Sequence, residues 1–261
     1  EEWLSYYTNL ANNKSNQDQY LTFDLANKKG DLVNKLLNKL PFKLTQGQIK
    51  ALSEIKQDLA SSKPMMRLLQ GDVGCGKTLV AMLSMLFIIE NSDSNTQCAL
   101  LAPTEVLAKQ HYDNFKELLD DLGINTVCLL GQIKKSEKNK ITDQIKSGEA
   151  QIIIGTHAIF QKSVVYKKLA LVVIDEQHRF GVEQRKQLIE KGTILDANTN
   201  KYYRSHQLVM TATPIPRSLA MSLYADCDYS VIDQLPASRL PIKTVVMADA
   251  SRNKLIERVR S

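Results

Sequence analysis

A glycine-rich segment in the first third of the chain has the residue types and spacing of a phosphate-binding loop. It reads Gly71-Asp72-Val73-Gly74-Cys75-Gly76-Lys77-Thr78 and matches the pattern G-x-x-x-x-G-K-[ST]. In this pattern the glycines let successive backbone N–H groups point towards one anion, while the lysine reaches the phosphates and the hydroxyl holds Mg²⁺. We expect the whole segment to bind a nucleoside triphosphate, with Lys77 acting in catalysis and Thr78 binding the metal. A glycine turn with a chance lysine is the alternative.

An acidic pair after an apolar run predicts the second half of this site. Asp175 and Glu176 directly follow Leu171-Val172-Val173-Ile174. We expect Asp175 to hold Mg²⁺ through its water shell and Glu176 to orient and deprotonate the attacking water. The alternative is an acidic pair that begins an exposed loop. A zinc site is not indicated, because no second histidine lies four residues from His178.

The elements that must position these residues alternate along the chain from Phe42 onward. Helical periodicity marks Val106–Leu122 and Lys134–Ser147, and the apolar stretch Leu79–Ile89 follows the glycine-rich segment. Strands joined by helices predict a three-layer α/β domain with a mostly parallel central sheet flanked by helices. The candidate strands are Met66–Leu69, Cys98–Ala102, Thr126–Leu130, Gln151–Gly155, Leu169–Ile174 and Leu208–Thr211.

Both ends of the chain differ from this central domain, which we place at residues 41–235. Residues 1–40 are rich in Asn, Lys and Gln and contain one candidate helix, Asp31–Leu40, so they predict a connecting arm without its own core. Residues 236–261 predict a connector and the start of a further domain. Because the chain opens without Met, we expect it to be a piece of a longer protein.

Three smaller segments add expectations of their own. The polar stretch Thr193–Ser205 predicts a surface loop, Thr244–Met247 predicts a strand, and Asn253–Arg260 predicts a helix.

Composition argues against a disordered, collagen-like or membrane-spanning protein. The chain has 261 residues, of which 43% are hydrophobic and 24% charged, and its longest apolar stretch is too short to span a membrane. Its four cysteines are far apart, which argues against a disulfide framework and for a reducing compartment. The formal net charge is +6, and residues 132–168 hold eight lysines against three acids. This excess permits a polyanionic partner, although a solvated helix face is the commoner reason for a lysine cluster such as that of residues 134–146.

Several motifs together resemble the RecG family of branched-DNA helicases, in superfamily 2. The most specific is Asp175-Glu176-Gln177-His178 with the following residues 179–185, because the related Mfd and PriA families typically have Asp-Glu-Glu-His. Further blocks match in order at residues 40–45, 102–108, 155–158, 210–217 and 224–226. One departure is Pro236-Ala237-Ser238-Arg239 in place of Pro-Pro-Gly-Arg, which predicts a less flexible connector.

The resemblance implies a RecA-like lobe that uses ATP and Mg²⁺ to remodel branched DNA, such as stalled forks and Holliday junctions, in recombination and repair. It also implies a monomer in the bacterial cytoplasm, associated with the nucleoid and not with a membrane. A second RecA-like lobe and an amino-terminal wedge domain of the same full-length chain would complete the enzyme. The second lobe supplies an arginine worth about 10³–10⁵ in rate, so we expect this lobe alone to turn ATP over poorly.

Roles around the nucleotide follow from the same resemblance. Gln48 matches the glutamine that reads adenine, and Phe42 is expected to pack on the base, unless Phe42 instead packs against the sheet. Thr211 and Thr213 match the motif that couples the nucleotide site to DNA movement through His178 and Gln177, and Gln177 joins the catalytic residues. The alternative is that the two threonines cap a turn at a strand end.

Two further segments resemble those that follow the DNA backbone in helicases. They are Pro103-Thr104 and Gly155-Thr156-His157, and each begins just after a candidate strand. A hydroxyl and free N–H groups there can receive phosphate oxygens, so binding is expected to be independent of sequence and sensitive to salt. The alternatives are that Thr104 is a helix N-cap and that His157 is a buried histidine.

Three competing functions remain open at this point. An Mfd-like duplex translocase belongs to the same class of enzyme. A small-molecule kinase or a transport ATPase would leave the motifs at residues 155–157 and 211–213 unexplained. A module that binds nucleotide or DNA without turnover is the third possibility for a single lobe.

Overall fold

The computed structural model describes residues 20–22, 25, 30–176, 191, 193–196, 201–213, 227–235 and 256. Its helices are α1 (Leu32–Lys39), α2 (Gln46–Leu59), α3 (Lys77–Glu90), α4 (Glu105–Leu119) and α5 (Lys135–Ser147). Its strands are β1 (Tyr20–Leu21), β2 (Met66–Gly71), β3 (Gln97–Leu101), β4 (Thr126–Leu129), β5 (Ile152–Gly155), β6 (Leu169–Asp175), β7 (Thr193–Asp196), β8 (Lys201–Arg204), β9 (His206–Thr211) and β10 (Asp228–Ile232).

The main sheet has seven strands in the order β10-β2-β9-β6-β3-β5-β4, and all neighbouring pairs are parallel. The six strands expected from the sequence are therefore confirmed, each to within two residues at its ends. Because parallel strands present their carboxyl ends at one edge, the loops after β2, β9, β6, β3, β5 and β4 all begin on the same side of the sheet. This carboxyl edge carries the candidate functional residues.

Apolar side chains cover both faces of the sheet. On one face, α1, α2, α3 and α4 pack on residues such as Leu100 and Val173. On the other, α5 and the short 3-10 turn His157–Phe160 pack on residues such as Leu101 and Val172. Neighbouring residues of one strand enter opposite clusters, as central strands covered on both sides must. The three-layer α/β prediction is confirmed.

The helix at the start of the continuously described part of the chain packs on this domain. Helix α1 buries Val33 and Leu36 in the cluster that contains α3, and the backbone N–H of Val33 donates to Oε2 of Glu90 over 3.1 Å. The helix expected at residues 31–40 is confirmed, and its apolar face packs onto the domain.

Two regions of the structure differ from the sequence-based expectations. The stretch Thr193–Ser205 is not a loop: β7 and β8 form an antiparallel pair within it, and β8 also pairs with β1. Helix α2 and strand β10 were not among the predicted elements. The Arg67 guanidinium of β2 donates to Ser230 of β10 over 2.8 Å and to Asp58 of α2 over 2.6 Å, so it links both elements to the sheet.

The strand predicted at residues 244–247 and most of the helix predicted at 253–260 lie outside the described residues, although Ile256 is helical. Among the described helices, none is both long enough and apolar enough to cross a membrane.

Candidate active site

The glycine-rich segment connects β2 to α3, which is the strand–loop–helix context that a phosphate-binding loop requires. Gly74 and Gly76 have φ angles of 80° and 92°, in the left-handed region that favours glycine. A Cβ atom at Gly76 would also lie 2.2 Å from Nε2 of Gln48. The glycines therefore allow both the curl of the loop and the close approach of Gln48. Of the remaining loop residues, Asp72 and Val73 are exposed.

The Lys77 side chain is held inside the loop. It is only 9% exposed, and Nζ donates to the carbonyl oxygens of Gly71 and Asp72 over 2.6 Å and 3.0 Å. Thr78 follows in the first turn of α3 and is partly buried. The ammonium group is thus already positioned at the loop by backbone acceptors that a phosphate oxygen can replace.

Cys75 has a packing role in the same loop. Its side chain is 1% exposed, and a Cβ atom at Gly71 would lie 2.5 Å from its Sγ atom. Burial raises the pKa of the Cys75 thiol, although the nearby charge of Lys77 opposes this shift. The residue is therefore a neutral, buried thiol that fixes the base of the loop.

Gln48 joins the loop to helix α2. Its Oε1 accepts from the N–H of Thr45 over 2.9 Å, and its Nε2 donates to the carbonyl of Cys75 over 2.8 Å. Thr45 and Gln48 form a reciprocal capping box at the start of α2, which the spacing Thr-x-x-Gln could have predicted. The Gln48 side chain is 2% exposed, so the structure shows a bridge from α2 to the loop. Phe42 is 52% exposed and belongs to neither of the two buried apolar clusters.

Asp175 and Glu176 lie at the carboxyl end of β6. The Oδ2 atom of Asp175 is 2.9 Å from Nε2 of His111, a buried residue of α4. Glu176 has a φ angle of 51°, which is unusual for a residue with a side chain. Its carboxylate accepts from the N–H of Ala212 over 3.2 Å and 3.4 Å. The acidic pair therefore contacts two other segments of the carboxyl edge.

Reasoning from the sequence missed His111. A signal was present, because His111 shares the buried face of α4 with Ala108, Phe115 and Leu119. A polar residue on an apolar helix face requires a buried partner. The identity of that partner, 64 residues away in the chain, needed the structure.

Thr211 lies between the phosphate-binding loop and the acidic pair. In the register of the sheet, Thr211 pairs with Gln70, and the preceding Met210 pairs with Asp175. The hydroxyls of Thr211 and Thr213 are 2.6 Å apart, and the N–H of Thr213 donates to the Thr211 hydroxyl over 3.2 Å. The turn-capping alternative is therefore confirmed for Thr211. Gln177 and His178 lie outside the described residues.

The residues expected to follow DNA lie further along the same edge. The hydroxyl of Thr104 accepts from the N–H of Leu107 over 3.3 Å at the start of α4, which confirms the N-cap alternative, and the residue is exposed. Pro103 precedes it and is partly buried. The strand end that carries the second segment lies beside β3, since Leu101 pairs with Gly155.

The second segment exposes only part of itself. Gly155 lies so close to β4 that a Cβ atom would be 2.2 Å from the carbonyl oxygen of Leu129. Thr156 is 4% exposed, and its hydroxyl has no hydrogen-bond partner among the described residues. His157 is exposed, so the buried-histidine alternative is wrong.

The side chains that could hold Mg²⁺ are the Thr78 hydroxyl and the Asp175 carboxylate. Both are hard oxygen ligands of the kind that Mg²⁺ prefers. In the part of the chain that the structure describes, no group of three or more His, Cys, Asp or Glu side chains could hold a metal.

The sequence is similar to a known class of helicases. The family model of DEAD/DEAH box helicases matches residues 45–222, and the chain belongs to this family. The fold of a yeast dbp5 complex agrees, with a TM-score of 0.54 at 18% identity over 78% of this chain and 52% of that one.

The more particular similarity is to RecG. ATP-dependent DNA helicase RecG of Pasteurella multocida is 46% identical over 99% of this chain and 36% of its own length. RecG of Escherichia coli O157:H7 is 52% identical over 88% of this chain and 32% of its own. A structure of RecG bound to a three-way DNA junction matches with a TM-score of 0.78 and 38% identity, over 95% of this chain and 31% of that one. The resemblance to RecG in a RecA-like helicase lobe is confirmed, and the chain spans about a third of the length of these relatives.

Proposed function

We propose that this chain is the ATP-binding lobe of a RecG-like helicase, which couples ATP hydrolysis to remodelling of branched DNA in recombination and repair. One observation carries the proposal. The register of β2, β9 and β6 brings the phosphate-binding loop, Thr211 and Asp175 to one sheet edge, in a chain up to 52% identical to RecG helicases. The RecG relative whose structure holds a three-way DNA junction supports branched DNA as the partner.

The residues of this site can divide the work of phosphoryl transfer to water. Backbone N–H groups of residues 71–78 and the Lys77 ammonium bind the phosphates, and Lys77 exchanges the carbonyls of Gly71 and Asp72 for phosphate oxygens. Thr78 and, through the water shell, Asp175 would hold Mg²⁺, which would supply positive charge to offset that of the phosphates. Glu176 orients the attacking water and accepts its proton.

Coupling between the nucleotide and DNA is assigned to the segment after β9. Glu176 is bonded to the N–H of Ala212, and the hydroxyls of Thr211 and Thr213 contact each other beside it. A shift of the Glu176 carboxylate towards the water would release Ala212, which supports a role of residues 211–213 in passing on the state of the site. Gln177 and His178 act with them in this proposal.

Recognition of the base is assigned to Gln48 and Phe42. Gln48 already uses one acceptor and one donor within the protein, and its amide has a second of each. Phe42 is half-exposed, which supports packing on an adenine ring. Residues 103–104 and 155–157 are assigned to the DNA backbone, with the exposed Thr104 and His157 as the contacting side chains.

The whole enzyme in this proposal has further parts. Residues 1–40 connect to a wedge domain, residues 41–235 form this lobe, and residues 236–261 lead into a second RecA-like lobe that supplies an arginine to the phosphates. The protein acts as a monomer in the bacterial cytoplasm, at the nucleoid. Because the transition-state arginine belongs to the second lobe, this lobe alone binds ATP but hydrolyses it slowly.

The test is steady-state ATP turnover, measured for this chain and for a chain extended to the length of its RecG relatives. We expect near-zero rates for the short chain, and rates for the long chain that three-way junctions stimulate more than linear duplex of equal length. Equal stimulation by linear duplex would favour an Mfd-like translocase. A short chain as active as the long one would contradict the half-site account.

A further inference from the structure

Five lysines gather at the far end of the carboxyl edge, beyond the segments that resemble DNA contacts. Lys134 and Lys135 lie at the start of α5, directly after the loop that follows β4. Lys138 is one turn further along the helix. Lys162 lies two residues after the 3-10 turn His157–Phe160, and Lys191 donates a hydrogen bond to the carbonyl oxygen of Gln161, which ends that turn. We call these five residues the basic rim.

Contacts of the rim hold its charges together without neutralising them. Nζ of Lys138 donates to Oε1 of Gln161 over 3.0 Å, and Nζ of Lys191 donates to the carbonyls of Gln161 and Val164 over 2.8 Å and 2.6 Å. Burial lowers the pKa of Lys191. Lys134, Lys135 and Lys162 are exposed.

Acids contribute little to this surface. Across the described residues, none of the five lysines has an ion pair with Asp or Glu. Glu137 lies on the first turn of α5 and is exposed. Glu105 also lies beside the rim, since its Oε1 accepts from the N–H groups of Gly131 and Gln132 over 2.9 Å and 3.2 Å. Five lysines against these two carboxylates leave the rim net positive.

The same contacts join the rim to the candidate DNA segments. Glu105 follows Thr104 in the chain, so its bonds to Gly131 and Gln132 fix the loop after β4 beside the start of α4. Gln161 accepts hydrogen bonds from Lys138 and Lys191, and it directly follows the turn that begins at His157. Thr104, His157 and the rim residues other than Lys191 therefore lie in or after the neighbouring loops that follow β3, β5 and β4, and Lys191 is joined to them through Gln161.

We propose that the basic rim binds the phosphate backbone of duplex DNA and extends the contacts at Thr104 and His157 away from the nucleotide site. The sheet order supports this direction, because β2 and β6 carry the nucleotide residues while β4 is the outermost strand on the opposite side. Duplex DNA carries about one charge per 1.7 Å, so the exposed ammonium groups of Lys134, Lys135 and Lys162 can contact its phosphates. This inference rests on the proposed DNA-dependent function.

The test compares two charge reversals on one helix. Lys135→Glu lies in the rim, and Lys146→Glu, also exposed, lies in the last turn of α5 at the other edge of the sheet. Both variants change the net charge equally. A glutamate at position 135 also suits the helix N-terminus, so the rim variant is expected to fold, which circular dichroism checks.

Binding of this chain to a fluorescent 20-base-pair duplex is measured from about 20 to 200 mM salt. We expect micromolar binding by the unchanged chain at low salt, about a 3- to 10-fold loss with Lys135→Glu, a salt slope smaller by about 0.9, and less than about 2-fold change with Lys146→Glu. Lys134→Glu with Lys135→Glu should lose more. Equal losses of affinity at positions 135 and 146, or the absence of duplex binding at low salt, would contradict the proposal that the basic rim binds DNA.

Nucleotide binding separates this inference from the function on which it rests. Each variant is titrated with Mg²⁺–ATP in the same buffer, where Lys135→Glu is expected to bind as the unchanged chain does. If neither the unchanged chain nor the variants bind ATP while Lys135→Glu still selectively weakens DNA binding, the proposed function is wrong and DNA binding by the basic rim is supported. If ATP binding is intact and DNA binding is insensitive to position 135, the rim alone fails.

Discussion

The Oδ2 atom of Asp175 lies 2.9 Å from the Nε2 atom of His111, and both side chains are almost completely buried. In this pair the ring N–H donates and the carboxylate accepts. His111 belongs to α4, whose first turn is capped by Thr104. One rigid helix therefore connects a candidate DNA contact to a candidate metal ligand, over a separation of seven residues, or about two turns.

Removing His111 tests the importance of that bond. We expect His111→Ala to lower the free energy of unfolding by about 1.5–3 kcal/mol, because a buried carboxylate loses its donor. His111→Asn, whose amide can still donate, should lose less and should retain more affinity for Mg²⁺–ATP. Urea denaturation and ATP titration measure the two effects. Equal losses in both variants would show that packing, and not the hydrogen bond, is what matters.

The close contact of Gly155 with β4 predicts a cost for any larger residue at the carboxyl edge of the sheet. A Cβ atom there would lie 2.2 Å from the carbonyl oxygen of Leu129, so β4 and β5 must shift to accept Gly155→Ala. We expect a loss of about 2–4 kcal/mol in the free energy of unfolding. Gly123→Ala is the control, because its φ of 71° strains alanine but nothing lies within 4 Å. The control should cost about 1–2 kcal/mol, and a Gly155 loss no greater than this would contradict the contact.

Glu176→Gln separates chemistry from binding. A glutamine oxygen can still accept the N–H of Ala212, so folding and Mg²⁺–ATP affinity should change little. Without a base for the attacking water, DNA-stimulated turnover by a chain with both lobes should fall about 10²–10⁴-fold. Unchanged turnover would remove Glu176 from its assigned role.

His206 predicts a dependence of stability on pH. Burial lowers the pKa of His206 to about 4, and Nδ1 accepts from the N–H of Met65 over 3.0 Å. The ring is thus neutral in the folded chain, whereas the unfolded chain binds a proton below about pH 6.5. Stability contributed by the neutral ring is present above pH 6.5 and is lost as the pH falls towards 4.

The loss from this residue is expected to reach up to about 3 kcal/mol, since each unit of pKa shift corresponds to about 1.4 kcal/mol. Denaturation at a series of pH values between 4 and 7 measures it. His206→Asn removes the titrating group, so its curve should be flatter over this range. Parallel curves for the two proteins would assign the acid sensitivity to other residues.

The central sheet could be predicted because a short run of neighbouring residues identifies each of its inner strands. The runs at residues 152–154 and 169–174 are continuously apolar, as strands covered on both faces must be. The edge strand Asp228–Ile232 was missed because its buried positions are Ser230 and Ile232 while Val231 is exposed, so the apolar residues do not mark one face. The polar stretch at residues 193–205 suggested a loop, whereas pairing of β8 with the distant β1 places a strand there.

The candidate active site likewise has parts that the sequence predicts and contacts that it does not predict. The phosphate-binding loop and the acidic pair have fixed local spacings, so they could be predicted from the sequence. The bonds of Gln48 to Cys75, His111 to Asp175 and Glu176 to Ala212 span 27, 64 and 36 residues. No local pattern specifies such partners, because they depend on which strands become neighbours in the sheet.

Binding of Mg²⁺–ATP to this chain, measured by isothermal titration, tests the central claim most directly. Lys77→Ala removes the buried ammonium at the phosphate-binding loop, and Lys50→Ala removes an exposed lysine of α2 as the matched control. The account predicts Mg²⁺-dependent binding that Lys77→Ala weakens at least about 10-fold, or about 1.4 kcal/mol, and that Lys50→Ala leaves unchanged. Equal affinity of the unchanged chain and Lys77→Ala would contradict an ATP site at this loop.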